Sequence, residues 1–218
     1  MIDEYTAPDY QYAALLTIDV QRTTLEGGSL PIPGTRDAAT RIRDVASLFR
    51  ENRWPIIHVI RLYLPNGSNA ELCRRRAIEQ GSEFFLVGRE GRALAEELLP
   101  RAGIELDDRS LLAGRFQQID PLEWVMYKPR WGAFFATELE AHLRSHGVTT
   151  VVVTGCNYPN CPRATLYEAS ERDFRSVLIS DAVSRFDDRG EHEMNDIGVF
   201  VVDAAAFVER ARQASDGE

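Results

Sequence analysis

Two apolar strands joined by a single helix-length segment constrain this chain more than any other feature. Residues 148–154 form a β-branched run, VTTVVVT, stopped by Gly155, and this predicts a buried strand. A polar, proline-punctuated turn follows, Gly155-Cys156-Asn157-Tyr158-Pro159-Asn160, then a helical segment over 161–172 and a second short strand over 177–180. A helix interposed between two strands is the signature of a parallel sheet. The same arrangement sets Cys161 on the first turn of a helix. Backbone N–H groups are unpaired there and the helix dipole favours an anion, so a thiol ionises most readily at this place. A free cysteine is more often a small buried hydrophobe than a catalyst. The neighbours Asn160, Pro162 and Arg163 are polar or turn-forming, a setting that Cys156 and Cys73 lack, and they mark Cys161 as the candidate nucleophile.

The rest of the chain repeats the alternation. Residues 13–20, AALLTIDV, read as a central strand buried on both faces and closing on Asp19. An unpaired aspartate there would cost several kcal/mol, so Asp19 either starts the next loop by accepting backbone hydrogen bonds or has a task. A loop over 22–35 precedes an amphipathic helix over 37–50, and residues 55–60 form the second strand. His58 lies within that strand, where a lone histidine is usually a packed, hydrogen-bonded side chain. A helix over 69–80 carries Arg74, Arg75 and Arg76, read as a solvated face. Residues 92–98 read as helical and 100–118 as irregular. Residues 123–128 form a strand ended by Lys128-Pro129, and a helix over 134–146 follows the aromatic segment around Trp131. An acidic loop or short helix over 187–196, a strand over 199–202 and a helix over 204–214 complete the chain.

Six strands alternating with helices predict a three-layer α/β/α sandwich with a six-stranded, mainly parallel sheet, and one domain over residues 1–218. Ligands of such sheets sit beyond the carboxyl ends of the strands. Asp19, Lys128 and the turn from Cys156 to Cys161 each lie at such an end, and three chemically complementary groups say more together than any one alone.

Composition excludes several function classes. A net charge of −9 leaves no basic excess to replace phosphate counterions, so nucleic acid is not the expected partner. Three cysteines without a paired framework suggest a reducing compartment. The N-terminal MIDEYTAPDY is acidic and lacks the apolar stretch of a signal peptide or anchor, and no apolar run is long enough to span a bilayer. The expectation is a cytoplasmic soluble protein without a membrane partner.

These residues resemble the isochorismatase-like cysteine hydrolases, a superfamily that includes nicotinamidases, N-carbamoylsarcosine amidohydrolases and ureidoacrylate amidohydrolases. The likeness covers nearly the whole chain through LLTIDVQ (15–21), YKPRWGAFFATELEAHL (127–143) and VVVTGCNYPNCPRATLYEASERDF (151–174). It implies that Asp19, Lys128 and Cys161 are the catalytic Asp, Lys and Cys. It also implies a cis Cys156–Asn157 peptide bond and an oxyanion hole made by the backbone N–H groups of Asn157 and Cys161. Gln21, Trp131, Tyr158 and Asn160 are the residues expected to meet the substrate. Trp131 fits a core role equally, and the amides of Asn157 and Asn160 fit either a substrate contact or a turn cap, with capping favoured for Asn160. Nicotinamidases add a metal site built on Asp-x-His after the second strand. Here that region reads His58-Val-Ile-Arg-Leu-Tyr-Leu, so neither a catalytic metal nor another cofactor is expected.

The resemblance implies an amidohydrolase cleaving a small amide, carbamoyl, ureido or lactam C–N bond through a thioester, in a homodimer or larger homo-oligomer. The alternatives are vinyl-ether hydrolysis of the isochorismatase type, which needs no thiol, and a non-catalytic binding protein that keeps the fold; an intact Asp-Lys-Cys set counts against both. A redox or metal-thiolate role for Cys156 and Cys161 lacks the C-x-x-C spacing.

Overall fold

The computed structural model describes residues 3–216. Residues 1–2 and 217–218, part of the expected lead-in and of the 1–218 span, lie outside the described residues. Seven strands form one sheet in the order β3-β4-β2-β1-β5-β6-β7. They are β1 (Ala13–Ile18), β2 (Ile56–Ile60), β3 (Gln117–Asp120), β4 (Glu123–Tyr127), β5 (Thr150–Gly155), β6 (Arg175–Val183) and β7 (Phe200–Val202). All pair in parallel except β3, which runs antiparallel to β4 at the edge. The helices are α1 (Thr35–Glu51), α2 (Leu72–Glu79), α3 (Asp108–Leu112), α4 (Leu139–Ser145), α5 (Cys161–Ser170), α6 (Asp188–Asn195) and α7 (Ala204–Asp216).

The alternation of β1 shows why its sequence is continuously apolar. Ala13 and Leu15 face a layer built from α1 and α7, packing with Ile42, Phe49 and Phe207. Ala14, Leu16 and Ile18 face the opposite layer with Leu139 and Leu143 of α4 and Leu166 of α5. A strand covered on both faces has no polar side to show.

Three expectations change. The sheet has seven strands, not six, because β3 arises within the stretch read as irregular. Only Ile119 of Gln117–Asp120 is buried, so this edge strand offers no apolar run by which to be read. Residues 92–98 do not form a helix but run from the last residue of one 3₁₀ turn, Glu90–Arg92, through a second, Glu96–Leu98. Backbone bonds from Arg22 N to Ala93 O and from Ala95 N to Val20 O, at 2.9 and 3.0 Å, take the groups a helix would need. The helix expected over 134–146 begins only at Leu139. The N–H groups of Ala133 and Phe134 are committed to Thr165 Oγ1 and Glu168 Oε2, at 3.1 and 2.8 Å, which holds this segment against α5 instead.

On α4, His142 stacks on Phe116 at 4.1 Å between ring centroids and meets the Trp124 ring edge-on at 4.7 Å. Burial, and then the neighbouring His146, lower its pKa to about 4. The folded protein therefore resists protonating a group that the unfolded chain protonates near pH 6.5, so stability present above that pH is lost as pH falls towards 4. His142→Phe is expected to remove about 1–2 kcal/mol of the stability lost between pH 7.5 and 4.5. Urea unfolding at the two pH values checks this, and an unchanged difference would refute it.

Candidate active site

The register of the four central strands brings their carboxyl ends level. Ile18 of β1 lies opposite Val59 and Gly155, and Ile60 of β2 lies opposite Tyr127. The residues just beyond are Asp19, Arg61, Lys128 and Cys156, and backbone bonds extend the ladder to hold them. Asp19 N donates to Val59 O at 2.9 Å, Lys128 N to Ile60 O at 3.0 Å and Cys156 N to Ile18 O at 2.8 Å. The chain builds outward from β1 first through β2 to β4 and then through β5 to β7. The crevice between β1 and β5 is therefore the switch point where an open sheet receives a ligand.

Asp19 sits there with φ 54°, in the left-handed region that aspartate tolerates better than most residues. Its Oδ2 accepts a hydrogen bond from Lys128 Nζ at 2.8 Å, and Lys128 is fully buried. The Cys161 thiol and the Asp19 carboxylate each shift the other's pKa, Arg61 Nη2 lies 3.5 Å from the sulfur, and Asp19 Oδ1 has no hydrogen-bond partner among the described residues. The three candidates from distant parts of the sequence thus meet. Burial alone would raise the Asp19 pKa, but the charges of Lys128 and Arg61 prevail and hold it below its ordinary value. Burial and the Asp19 charge together raise the Cys161 pKa, against Lys128 and Arg61. The thiol is therefore neutral at rest. The helix terminus favours ionisation of this cysteine, but desolvation of the sulfur and the nearby carboxylate charge outweigh it in the resting protein.

The turn before α5 is shaped for its place. A Cβ on Gly155 would lie 2.2 Å from the Ile18 carbonyl oxygen, so only glycine lets β5 close against β1 here. The Cys156–Asn157 peptide bond is cis, where the resemblance places it. Among the described residues neither Asn157 N–H nor Cys161 N–H donates to a protein acceptor, so two free donors flank the sulfur. Cys156 is a different thiol. Its Sγ donates to Asp19 O at 3.1 Å, and burial pushes its pKa up to about 12.

The four expected substrate residues divide. Trp131 is half-buried beside the site and lines an open groove of about 390 Å³ with Asn160, Arg163 and Tyr167. Asn160 does not cap α5 with its side chain; its Nδ2 donates to Asn157 Oδ1 at 3.1 Å and ties the turn to itself. Tyr158 is not at a substrate surface. Its hydroxyl donates to Gly190 O at 3.0 Å and its ring packs edge-on against Phe186 in the core. Gln21 is fully buried with its amide committed to backbone: Nε2 donates to Arg61 O and Arg92 O at 2.9 and 2.7 Å, and Oε1 accepts from Arg61 N at 2.8 Å. It positions Arg61 and has no group left for a ligand.

Arg61 is the residue the sequence reading missed. It is fully buried at the end of β2, with Nη2 3.5 Å from Cys161 Sγ. Its Nη1 pairs with Glu71, whose other oxygen accepts from Tyr63 Oη at 2.6 Å. Arg74, read as part of a solvated face, instead reaches inward and donates to Tyr63 Oη at 3.1 Å. Both guanidiniums lie over the Trp131 ring, at 5.5 and 4.9 Å from its centroid. The rule that located Asp19 and Lys128 at strand ends points equally to Arg61.

His58 does not belong to this cluster. Its Nδ1 and Nε2 are taken by Thr17 Oγ1 and Glu123 Oε1, each at 2.8 Å, within the sheet. Among the described residues no three of His, Cys, Asp and Glu stand together as a metal-ligand set, and no helix is long and apolar enough to cross a membrane.

Known proteins share this arrangement of chain. The protein is similar to a maleamate amidohydrolase of Pseudomonas putida, 29% identical over 187 residues that cover 84% of this chain and 78% of that one. A probable inactive nicotinamidase of Arabidopsis thaliana is also 29% identical, over 181 residues covering 82% and 83% of the two chains. Among solved structures, an isochorismatase family protein from Desulfovibrio vulgaris superposes with a TM-score of 0.77 at 28% identity, covering 91% of this chain and 97% of that one. The isochorismatase domain family matches residues 13–206, from the first residue of β1 into α7, so that sheet, switch point and strand-end residues all fall within the match and the chain belongs to the isochorismatase family.

Proposed function

We propose that the protein is a cysteine-dependent amidohydrolase that cleaves the C–N bond of a small amide, carbamoyl, ureido or lactam substrate through a thioester. The observation that carries this reading is the meeting of one buried carboxylate with both a buried ammonium and a buried thiol, Asp19 with Lys128 and Cys161. Amidohydrolases among the relatives, such as the maleamate enzyme, support the reaction class.

The steps follow from the charges. Asp19 takes the thiol proton as sulfur attacks the carbonyl carbon, and Lys128 keeps the carboxylate ionised until that moment. The carbonyl oxygen gains negative charge between the N–H groups of Asn157 and Cys161. Preorganised donors of this kind are worth roughly 3 kcal/mol each. The C–N bond breaks as Asp19 returns the proton to the leaving nitrogen, and water then attacks the thioester with Asp19 again as base. Vinyl-ether hydrolysis would leave the thiol without a role. The three free cysteines suit a reducing, cytoplasmic setting.

Rapid mixing with a panel of small amides, ureas and lactams, followed by acid quench and intact-mass measurement, is expected to show ammonia or amine release together with an acyl adduct on Cys161. Turnover of a substrate without any adduct on Cys161, even under conditions where deacylation is rate-limiting, would overturn the thioester route.

A further inference from the structure

Resting on the amidohydrolase reading, we infer that Arg61 and Arg74, stacked on Trp131 beside the Cys161 thiol, form a subsite for a carboxylate, so that the substrate is an amide bearing one negative charge. Asp19 is paired with Lys128 at 2.8 Å, and Glu71 has one oxygen on Arg61 and the other on the Tyr63 hydroxyl. Two carboxylates, those of Asp19 and Glu71, therefore face three cations, those of Lys128, Arg61 and Arg74. Arg74 makes no ion pair among the described residues; its hydrogen bond goes to the neutral hydroxyl of Tyr63 at 3.1 Å. Arg61 is fully buried, and its Nε has no hydrogen-bond partner among the described residues. An excess positive charge and an orphan donor in a desolvated cleft are both satisfied by one bound carboxylate.

Placement makes this a substrate site rather than a structural ion pair. Arg61 Nη2 lies 3.5 Å from Cys161 Sγ, so an anion held by Arg61 and Arg74 stands beside the reacting carbon. Trp131 shares its ring with both guanidiniums, at 5.5 and 4.9 Å, which holds the two cations beside the groove that Trp131 lines. Gln21 pins the backbone of Arg61 on both its N–H and C=O sides. A carboxylate on the acyl side and one on the leaving nitrogen share this chemistry, and the test separates them.

The experiment compares matched acid and neutral amides with the full-length protein. Oxamate, succinamate and maleamate carry the charge on the acyl side, and N-carbamoylglycine carries it on the leaving nitrogen. The neutral partners are oxamide, succinamide, maleamide and N-carbamoylglycinamide. At least one acid is expected to exceed its neutral partner in kcat/KM by about 100-fold or more, as for sites built around a buried polar group. Arg74→Met is expected to cut that ratio at least about tenfold, chiefly through KM, with Arg74→Lys restoring part of it. Neutral amides turned over as well as their acids would overturn the carboxylate subsite and leave the amidohydrolase reading standing. If no member is turned over, calorimetric binding to Cys161→Ala decides. Acids binding more tightly than neutral partners, with the preference lost on adding Arg74→Met, support the subsite, whereas equal binding or none refutes it. Failure of the reaction reading would show separately, as absence of any acyl adduct on Cys161.

Discussion

Cys161→Ala is expected to lower turnover by about 10⁴-fold or more, the scale on which a nucleophile acting as part of a unit is missed. Asp19 can position water in the emptied site, but water lacks the polarizable sulfur that attacks the carbonyl and leaves it again. The fold is expected to survive, because Cys161 is a single small side chain on the first turn of α5 and that turn is also held by the bond from Asn160 N to Asn157 O at 3.0 Å. The variant should therefore unfold at nearly the wild-type urea midpoint while ammonia release disappears. Wild-type turnover in this variant would end the nucleophile assignment. Alkylation offers a second check in a Cys73→Ser background, which removes the exposed thiol. Iodoacetamide is expected to label Cys161 and spare Cys156, whose sulfur is bonded to the Asp19 carbonyl and whose pKa is pushed up to about 12.

Lys128→Met is expected to destabilise the protein by about 3 kcal/mol and to abolish turnover. Removing one member of a buried pair leaves the other charged and desolvated, and Asp19 is 4% exposed. The remaining charge of Arg61 holds the cost at the low end of the range. The sign with pH distinguishes this from simple loss of packing. In the wild type the Asp19 pKa is depressed, so its contribution to stability is present above the unfolded value near 3.9 and is lost as pH falls. Without Lys128, desolvation is no longer outweighed and the pKa rises, so the variant should gain stability relative to wild type as pH is lowered from 8 to 5. The double variant Asp19→Asn/Lys128→Met should recover most of the lost stability, with a coupling energy of roughly 1–3 kcal/mol, yet remain inactive. Additive losses in the double variant would mean that the two side chains do not act as a pair.

The parts of the fold legible in advance are those in which one element states its own burial. The all-apolar β1, the β-branched β5 and the amphipathic α1 each carry a pattern that only a covered parallel sheet satisfies. Elements held by remote partners were not legible. β3 has a single buried residue, the two 3₁₀ turns near Arg92 are set by backbone bonds to residues 20–22, and α4 starts late because Glu168 and Thr165 hold the segment before it. Tyr158 is expected to meet the substrate, but only the fold brings the Gly190 carbonyl to its hydroxyl.

The candidate site divides along the same line. Sequence alone determined that Asp19, Lys128 and the turn leading to Cys161 stand at strand ends, because chain direction and strand length place them there before any packing is known. The tertiary structure decided their protonation, since the resting thiol and the ionised carboxylate depend on burial and on charges from other strands. It also decided that Arg61 and Arg74 turn inward. A guanidinium in a sequence reads as surface by default, and what draws these two into the cleft is a carboxylate, a phenol and an indole that the fold brings together at Glu71, Tyr63 and Trp131. Electrostatics in a desolvated cleft is a property of distances in space, and those are absent from the order of residues along the chain.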